Sequence, residues 1–200
     1  MSKLEQFQLL TEAGLDTPLF GRVGDPEFMN WWQESIKVKS LSNIKAVVYT
    51  DDLAHRGEGK QLVDPVKAFR EYRGLPYSVF IPTTENPEEE AISYRYLQIG
   101  DRAWWLKYTG KGSWLSNYAV DTDIKVLSEV FGFWDEGERI RPFGQYPIFA
   151  IDFVAWQGME RRLAIDFNSA PGVQGTGIED VLSAKNCYEA IAAWLVVHNS

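Results

Sequence analysis

The stretch that decides the fold is Ala150-Ile151-Asp152-Phe153-Val154, followed after a short polar interruption by Ala164-Ile165-Asp166-Phe167-Asn168-Ser169-Ala170-Pro171-Gly172. Two runs of alternating, β-branched or aromatic residues flank Gln157-Gly158-Met159, which is the pattern of a β-hairpin. Residues two apart on a strand share a face, so Asp166 and Asn168 point the same way. A three-residue connection, Gly158-Met159-Glu160, puts Asp152 directly opposite Asp166, and such neighbours lie about 4.5–5.5 Å apart at Cβ. Three oxygen-bearing side chains then gather on one patch of an otherwise apolar hairpin. Carboxylates that close repel unless something positive lies between them, and hard oxygen ligands suit Mg²⁺. The competing reading is that Asp and Asn here are simply the solvated face of a sheet. The sequel speaks for a site. Ser169-Ala170-Pro171-Gly172 stops the strand, Gly175-Thr176-Gly177 opens a new helix, and loops of this kind place polar groups at a cleft.

Asp152-Phe153, then Asp166-Phe167-Asn168-Ser169-Ala170-Pro171-Gly172, then Gly175-Thr176-Gly177, closely resemble the last motif block of ATP-grasp proteins. There a strand aspartate and a Glu-x-Asn-x-x-Pro-Gly segment hold the Mg²⁺ ions that bridge the ATP phosphates. The resemblance implies an α+β chain with the ATP-grasp fold, two α+β lobes with the nucleotide between them. It places the first lobe at residues 1–82 and the second at 83–200. It implies metal-ligand roles for Asp152, Asp166 and Asn168, with Asp166 standing where glutamate is usual. The opening Glu12-Ala13-Gly14-Leu15-Asp16-Thr17-Pro18 resembles the helix exit that begins many ATP-grasp domains.

Between a strand at residues 44–50 and its hairpin partner near Leu62 lies Asp51-Asp52-Leu53-Ala54-His55-Arg56-Gly57-Glu58-Gly59-Lys60. Glycines in a charged turn expose backbone N–H groups to phosphate, and Arg56 and Lys60 add positive charge; an ordinary hairpin loop is the alternative. Beside the carboxylate block it resembles the glycine-rich flap over the ATP phosphates, giving nucleotide contacts to Arg56, Gly57, Gly59 and Lys60. A basic residue common on the preceding strand is replaced near Val48-Tyr49. The strand at residues 76–81 corresponds to the hinge, where the backbone of Phe80 and Ile81 would meet the adenine edge. The next hairpin, residues 91–99 and 102–108, turns at Gly100-Asp101. Its Ser93-Tyr94-Arg95 stands where the family often shows Glu-Tyr-Arg. Arg95 and Lys107 are candidates for contacting phosphate or a substrate carboxylate, or are plain surface cations. Arg141 stands in a basic loop before the metal hairpin, in place of an arginine absent at Ala150.

Elsewhere, Leu4, Phe7 and Leu10 recur at helical spacing up to Gly14, a C-cap candidate. Asp25-Pro26 and Asp64-Pro65 open two further helices. Residues 123–133 read as a helix with Ile124, Leu127, Val130 and Phe131 inward, and residues 178–198 as an amphipathic helix burying Ile178, Val181, Leu182, Ile191 and Leu195. Trp104, Trp105 and Trp114 read as core or sheet-face packing, with an aromatic ligand site as the rival.

Two hundred residues at 45% hydrophobic content bury one real core or two small lobes sharing an interface. The net charge of −8 argues against a general nucleic-acid binder. Cys187 alone excludes an internal disulfide framework. The N-terminus does not read as a signal peptide and no apolar run spans a membrane, so a cytoplasmic protein is expected. With His55 and His198 the only histidines, and no nucleophile-elbow glycines near His55, a Ser-His-Asp hydrolase is disfavoured. The resemblance implies an ATP- and Mg²⁺-dependent carboxylate–amine ligase working through an acyl phosphate, with a carboxylate-bearing peptide or protein among the acceptors. A nucleotide-binding module without turnover is the alternative. Because the chain starts close to the first lobe, the expectation is that a large acceptor, a second copy or a partner subunit completes the acceptor site.

Overall fold

Ser2 starts the first helix, α1 (Lys3–Glu12), with a reciprocal cap: its hydroxyl accepts from the Glu5 N–H, and its own N–H donates to the Glu5 carboxylate at 2.7 Å. The helix stops where Gly14 takes a φ of +79°. Leu15 N–H then reaches back to the Leu10 carbonyl at 3.0 Å, and Gly14 N–H to that of Thr11 at 2.9 Å. This is a Schellman ending, so Gly14 is the residue after the cap, Ala13 being the cap itself. The computed structural model describes residues 1–38, 44–51, 59–116, 121–129, 139–155, 162–173, 178–180 and 183–198.

Beyond α1 come β1 (Phe20–Arg22), α2 (Pro26–Val38), β2 (Ala46–Tyr49), β3 (Lys60–Val63), α3 (Pro65–Glu71) and β4 (Pro76–Val79). Asp64 caps α3 by accepting from the Lys67 N–H at 2.9 Å, with Pro65 at the first helical position. The four strands form an antiparallel sheet in the order β1-β4-β2-β3. Strand alternation gives it two buried faces. Ala46, Val48, Val63 and Tyr77 pack with Val23, Phe28 and Ala68 beneath α2 and α3, while Val47 and Tyr49 look the other way.

The second sheet is built from β5 (Glu90–Ile99), β6 (Arg102–Lys111), β7 (Asp121–Glu129), β8 (Ile148–Ala155) and β9 (Arg162–Asn168), antiparallel in the order β7-β6-β5-β8-β9. One face carries Trp105, Phe149, Ile151, Phe153, Ala164 and Phe167; it shares a core with Phe7 and Leu10 of α1 and with Val47 and Tyr49 of the first sheet. Helix α1 therefore lies against both sheets. The opposite face carries Leu97, Ile99, Trp104, Leu106 and Ala150, covered by Ile178 and by Cys187 of the last helix, α4 (Ala184–His198). Gly100 turns the β5–β6 hairpin at a φ of +58°, and a Cβ there would overlap the Ala190 carbonyl of α4. Trp104 and Trp105 are thus buried on opposite faces of the sheet, as packing residues.

Two expected helices need correction. Residues 121–129 are the strand β7, paired with β6. Thr122, Ile124 and Val126 alternate as β-branched residues, and the edge of β6 needs a partner, so pairing overrides the helical stripe. Leu127, counted inward, is the extra residue at a register shift opposite Trp105 and Leu106 and is 46% exposed. The helix expected over 178–198 is a 3-10 turn at Ile178–Asp180 followed by α4. Its buried residues are Cys187 and Trp194, while Leu195 is exposed. Val130, Phe131, Val181 and Leu182 lie outside the described residues. Among the described residues, no helix is long and apolar enough to cross a membrane.

Candidate functional site

Adjacent strands meet at the deciding hairpin as its sequence requires. Asp152 on β8 stands opposite Asp166 on β9, and opposite Arg95 on β5. The route to that register is less simple than a three-residue turn. Between Asp152 and Phe153 the pairing slips by one, so Ile165 and Asp166 both stand against Asp152. A bulge of this kind re-aims side chains. Both Ile165 and Asp166 face a cleft between the two sheets. The connection itself lies outside the described residues.

The space between the walls, open mouth included, is about 740 Å³. Val47, Tyr49, Lys60 and Ser78 line it from the first sheet, with Phe80 and Ile81 at the crossover. Ser93, Asp152, Val154 and Asp166 line it from the second, and Trp114 and Ser116 close one side.

Each carboxylate is held by a cation from a different element. Arg95 grips Asp152 with two bonds, Nε to Oδ1 at 2.6 Å and Nη2 to Oδ2 at 2.8 Å. That partner, less the cost of burial, pushes the Arg95 guanidinium further up from its already high value. Lys3 of α1, only 5% exposed, donates to Asp166 Oδ1 at 2.5 Å and to Gln6 Oε1 at 3.2 Å. Burial alone would raise the Asp166 carboxyl. The Lys3 ammonium, Lys60, the Lys3 hydrogen bond and Arg95 outweigh it, and the group sits below the ordinary carboxylate value. The facing wall carries Lys60 and, beside it, a neutral hydroxyl pair. Tyr49 Oη and Ser78 Oγ lie 3.0 Å apart, and burial pushes the phenol up to about 12.

The other expected site residues are distributed unevenly. Asn168 shares the face of Asp166, but it is exposed and its Oδ1 accepts from the Ala170 N–H at 2.9 Å, the turn that ends β9. Lys107 pairs with Tyr94, hence on the sheet face opposite to Arg95, and does not reach the cleft. Lys60 lines the cleft, and Gly59 before it sits at a φ of +68° with its carbonyl accepting from Thr50. Phe80 and Ile81 line the cleft, and the Phe80 N–H is already engaged by the Lys45 carbonyl at 3.1 Å. Arg56, Gly57 and the Arg141 side chain lie outside the described parts of the chain. Sequence reasoning missed Lys3. Its signal was a lysine in register with Phe7 and Leu10, on the face of α1 that faces the core.

Mg²⁺ fits this donor set on one condition. Among the described residues no three acidic, histidine or cysteine side chains gather into a cation cage. Two carboxylates and an amide remain, and Lys3, Arg95 and Lys60 more than offset the carboxylate charge. Such a set suits Mg²⁺ that arrives with phosphate oxygens supplying its other ligands, the pattern in which one or two carboxylates suffice. It does not suit a bare divalent ion.

The two antiparallel sheets, with a helix packed against both, match solved structures over nearly the whole chain. The chain has the ATP-grasp fold. The ATP-grasp ligase PsnB, in complex with a phosphomimetic variant of its minimal precursor, Mg and ADP, aligns over 96% of the chain with a TM-score of 0.61 at 13% identity. The macrocyclase MdnC, bound with precursor peptide MdnA from Microcystis aeruginosa MRC, aligns over 99% with a TM-score of 0.56 at 14% identity. The D-alanine-D-alanine ligase from Coxiella burnetii aligns over 99% with a TM-score of 0.58 at 14% identity. The chain spans 58%, 61% and 58% of those three ATP-grasp chains, respectively. No protein-family model and no curated protein matches the sequence.

Proposed function

We propose that the cleft binds ATP as its Mg²⁺ complex and activates a carboxylate for ligation to an amine. The observation that carries this is the row Arg95–Asp152–Asp166–Lys3, which sets two ion-paired carboxylates on the cleft wall with Lys60 opposite. Asp152 and Asp166, with Asn168 beside them, would hold Mg²⁺, which neutralises phosphate charge when bound. Lys60 and the turn through Arg56, Gly57 and Gly59 would cover the phosphates and exclude water. The Phe80 carbonyl and the Ile81 amide would orient the base, against the Phe80–Trp114 pair whose rings meet edge-on at 6.0 Å. An acceptor carboxylate oxygen bonds to the γ-phosphorus as the β–γ bridging bond breaks and ADP departs. The amine nitrogen then bonds to the acyl carbon, phosphate leaves, and the nitrogen gives up a proton. Few covalent partners are needed from the protein; positioning and electrostatics do the work. Arg95 acts on this chemistry through Asp152, and Arg141 is the remaining candidate for the acceptor. PsnB and MdnC are recorded with precursor peptides, which supports a peptide-borne carboxylate as acceptor here.

Thermal melting with ATP and Mg²⁺, together and separately, tests the reading. At a hundredfold excess over Kd, binding stabilises by about 2.7 kcal/mol, roughly 5–10 °C for a chain of this length. The shift should need both components and should vanish in Asp166→Ala. A melting curve that ignores the pair together refutes it.

The second reading is binding without turnover, and the ion pairs favour it: both carboxylates already have cations as partners. Hydroxylamine trapping decides between them. Hydroxamate formed with a carboxylate donor and MgATP supports ligation, and tight binding with neither ADP nor hydroxamate supports the module.

A further inference from the structure

We infer that Lys3 is a positioning residue for the nucleotide site, acting through Asp166 from a helix that belongs to neither wall of the cleft; this rests on the reading of the cleft as a site for ATP with Mg²⁺. The geometry is specific. Lysine is almost never fully buried unless paired, yet Lys3 is 5% exposed. Its ammonium lies 5.1 Å from the Phe7 ring centroid and 5.3 Å from that of Tyr49, with the Asp166 and Gln6 side chains accepting its hydrogens. Lys3 thus touches α1, the first sheet and the second sheet through one group. It does not line the cleft, whereas Asp166, which it holds, does.

Two consequences follow from that placement. Asp166 keeps one oxygen fixed on Lys3, so its orientation toward the cleft is set before any ligand arrives. The docking of α1 on β9 is likewise tied to the state of the cleft. The backbone reinforces the tie, since the Ala164 N–H donates at 2.7 Å to the carbonyl of Asp16, just past the helix. A cation held behind the carboxylate also lowers the repulsion that the incoming phosphates would meet there.

The test uses the full chain, measuring ATP affinity by calorimetry at several Mg²⁺ concentrations, beside the melting temperature without ligand. Lys3→Met, which keeps length and apolar contact, should weaken MgATP binding about tenfold or more and raise the Mg²⁺ concentration needed for half-maximal binding. Lys3→Arg should restore most of the affinity. Leu10→Ala loosens the same helix without touching the charge, so it should lower the melting temperature and leave the Mg²⁺ requirement unchanged. Where Lys3→Met does not fold, Lys3→Gln reads the same quantities with a neutral donor in place. Unchanged affinity and Mg²⁺ requirement in the Met or Gln variant, against a wild type that binds, overturn the role of Lys3 alone. Leu10→Ala shifting the Mg²⁺ requirement as much as Lys3→Met also overturns it, because helix docking would then explain both. A wild type that does not bind MgATP overturns the nucleotide reading, and this one with it.

Discussion

The two walls of the cleft are made of the same element, antiparallel strands, and are opposite in chemistry. The wall from the first sheet presents Val47, Tyr49 and Ser78, with a hydroxyl pair at 3.0 Å and Lys60 as the cation that the cleft sees there. The wall from the second presents two carboxylates, each bonded to a cation that sits behind it. Apolar groups and a paired hydroxyl cost little to bury and shape a pocket. An ionic wall is costly to desolvate and persists only where every charge is answered. On the reading proposed above, the second sheet would carry its charge because a charged ligand meets it, and the first would cover that ligand.

The sharpest way to break the contrast is to neutralise the ionic wall. Arg95 and Asp152 side chains are 16% and 12% exposed, so Asp152→Leu strands a guanidinium with its partner gone. Removing one member of such a pair costs about 3–5 kcal/mol. Replacing both, Arg95→Met with Asp152→Leu, should recover most of that loss in urea unfolding while MgATP binding stays absent. If the double variant remains as unstable as the single, the pair contributes to the fold and not chiefly to the site.

The charged wall was half legible in sequence. Asp152 and Asp166 could be placed opposite each other because strand alternation and a short connection leave few registers, and the structure has that pair. The bulge at Ile165 was not legible, since nothing local distinguishes a residue left out of the ladder from one within it. The cations behind the carboxylates were harder still. Arg95 stood out by type, but its partner Asp152, 57 positions away, depends on β5 lying beside β8. Lys3 lies more than a hundred and sixty positions from Asp166, and only its place on the inward face of α1 marked it. In β7, alternation and helical spacing overlapped at Ile124, and the open edge of β6 decided between them.

Acid should act first on the ionic wall, with a smaller effect. Asp166 sits below the ordinary carboxylate value in the folded chain, with burial opposing and Lys3 leading the groups that lower it. Its contribution to stability is complete above the ordinary carboxylate value and is lost as pH falls through the depressed one. Asp166→Asn should therefore flatten the dependence of unfolding free energy on pH in that acidic window, leaving the slope near neutrality alone. An unaltered acid limb in the variant would place the sensitivity elsewhere.

The smallest effect expected is at the hydroxyl pair of the first sheet. Tyr49→Phe removes one oxygen from a buried pair and leaves Ser78 Oγ, 3% exposed, without its partner. An unsatisfied hydroxyl of that kind costs about 1–2 kcal/mol. The ring stays, and with it the contact to the Lys3 ammonium at 5.3 Å. Burial has pushed the Tyr49 phenol up to about 12, so at neutral pH the wild-type side chain carries no charge for the substitution to take away. The melting temperature should fall by a few degrees while affinity for MgATP and its Mg²⁺ requirement hold within a factor of two or so, which calorimetry on the same samples would read. A tenfold loss of affinity instead would mean that the Tyr49 hydroxyl meets phosphate directly, and the first sheet would then belong to the chemistry as much as the second.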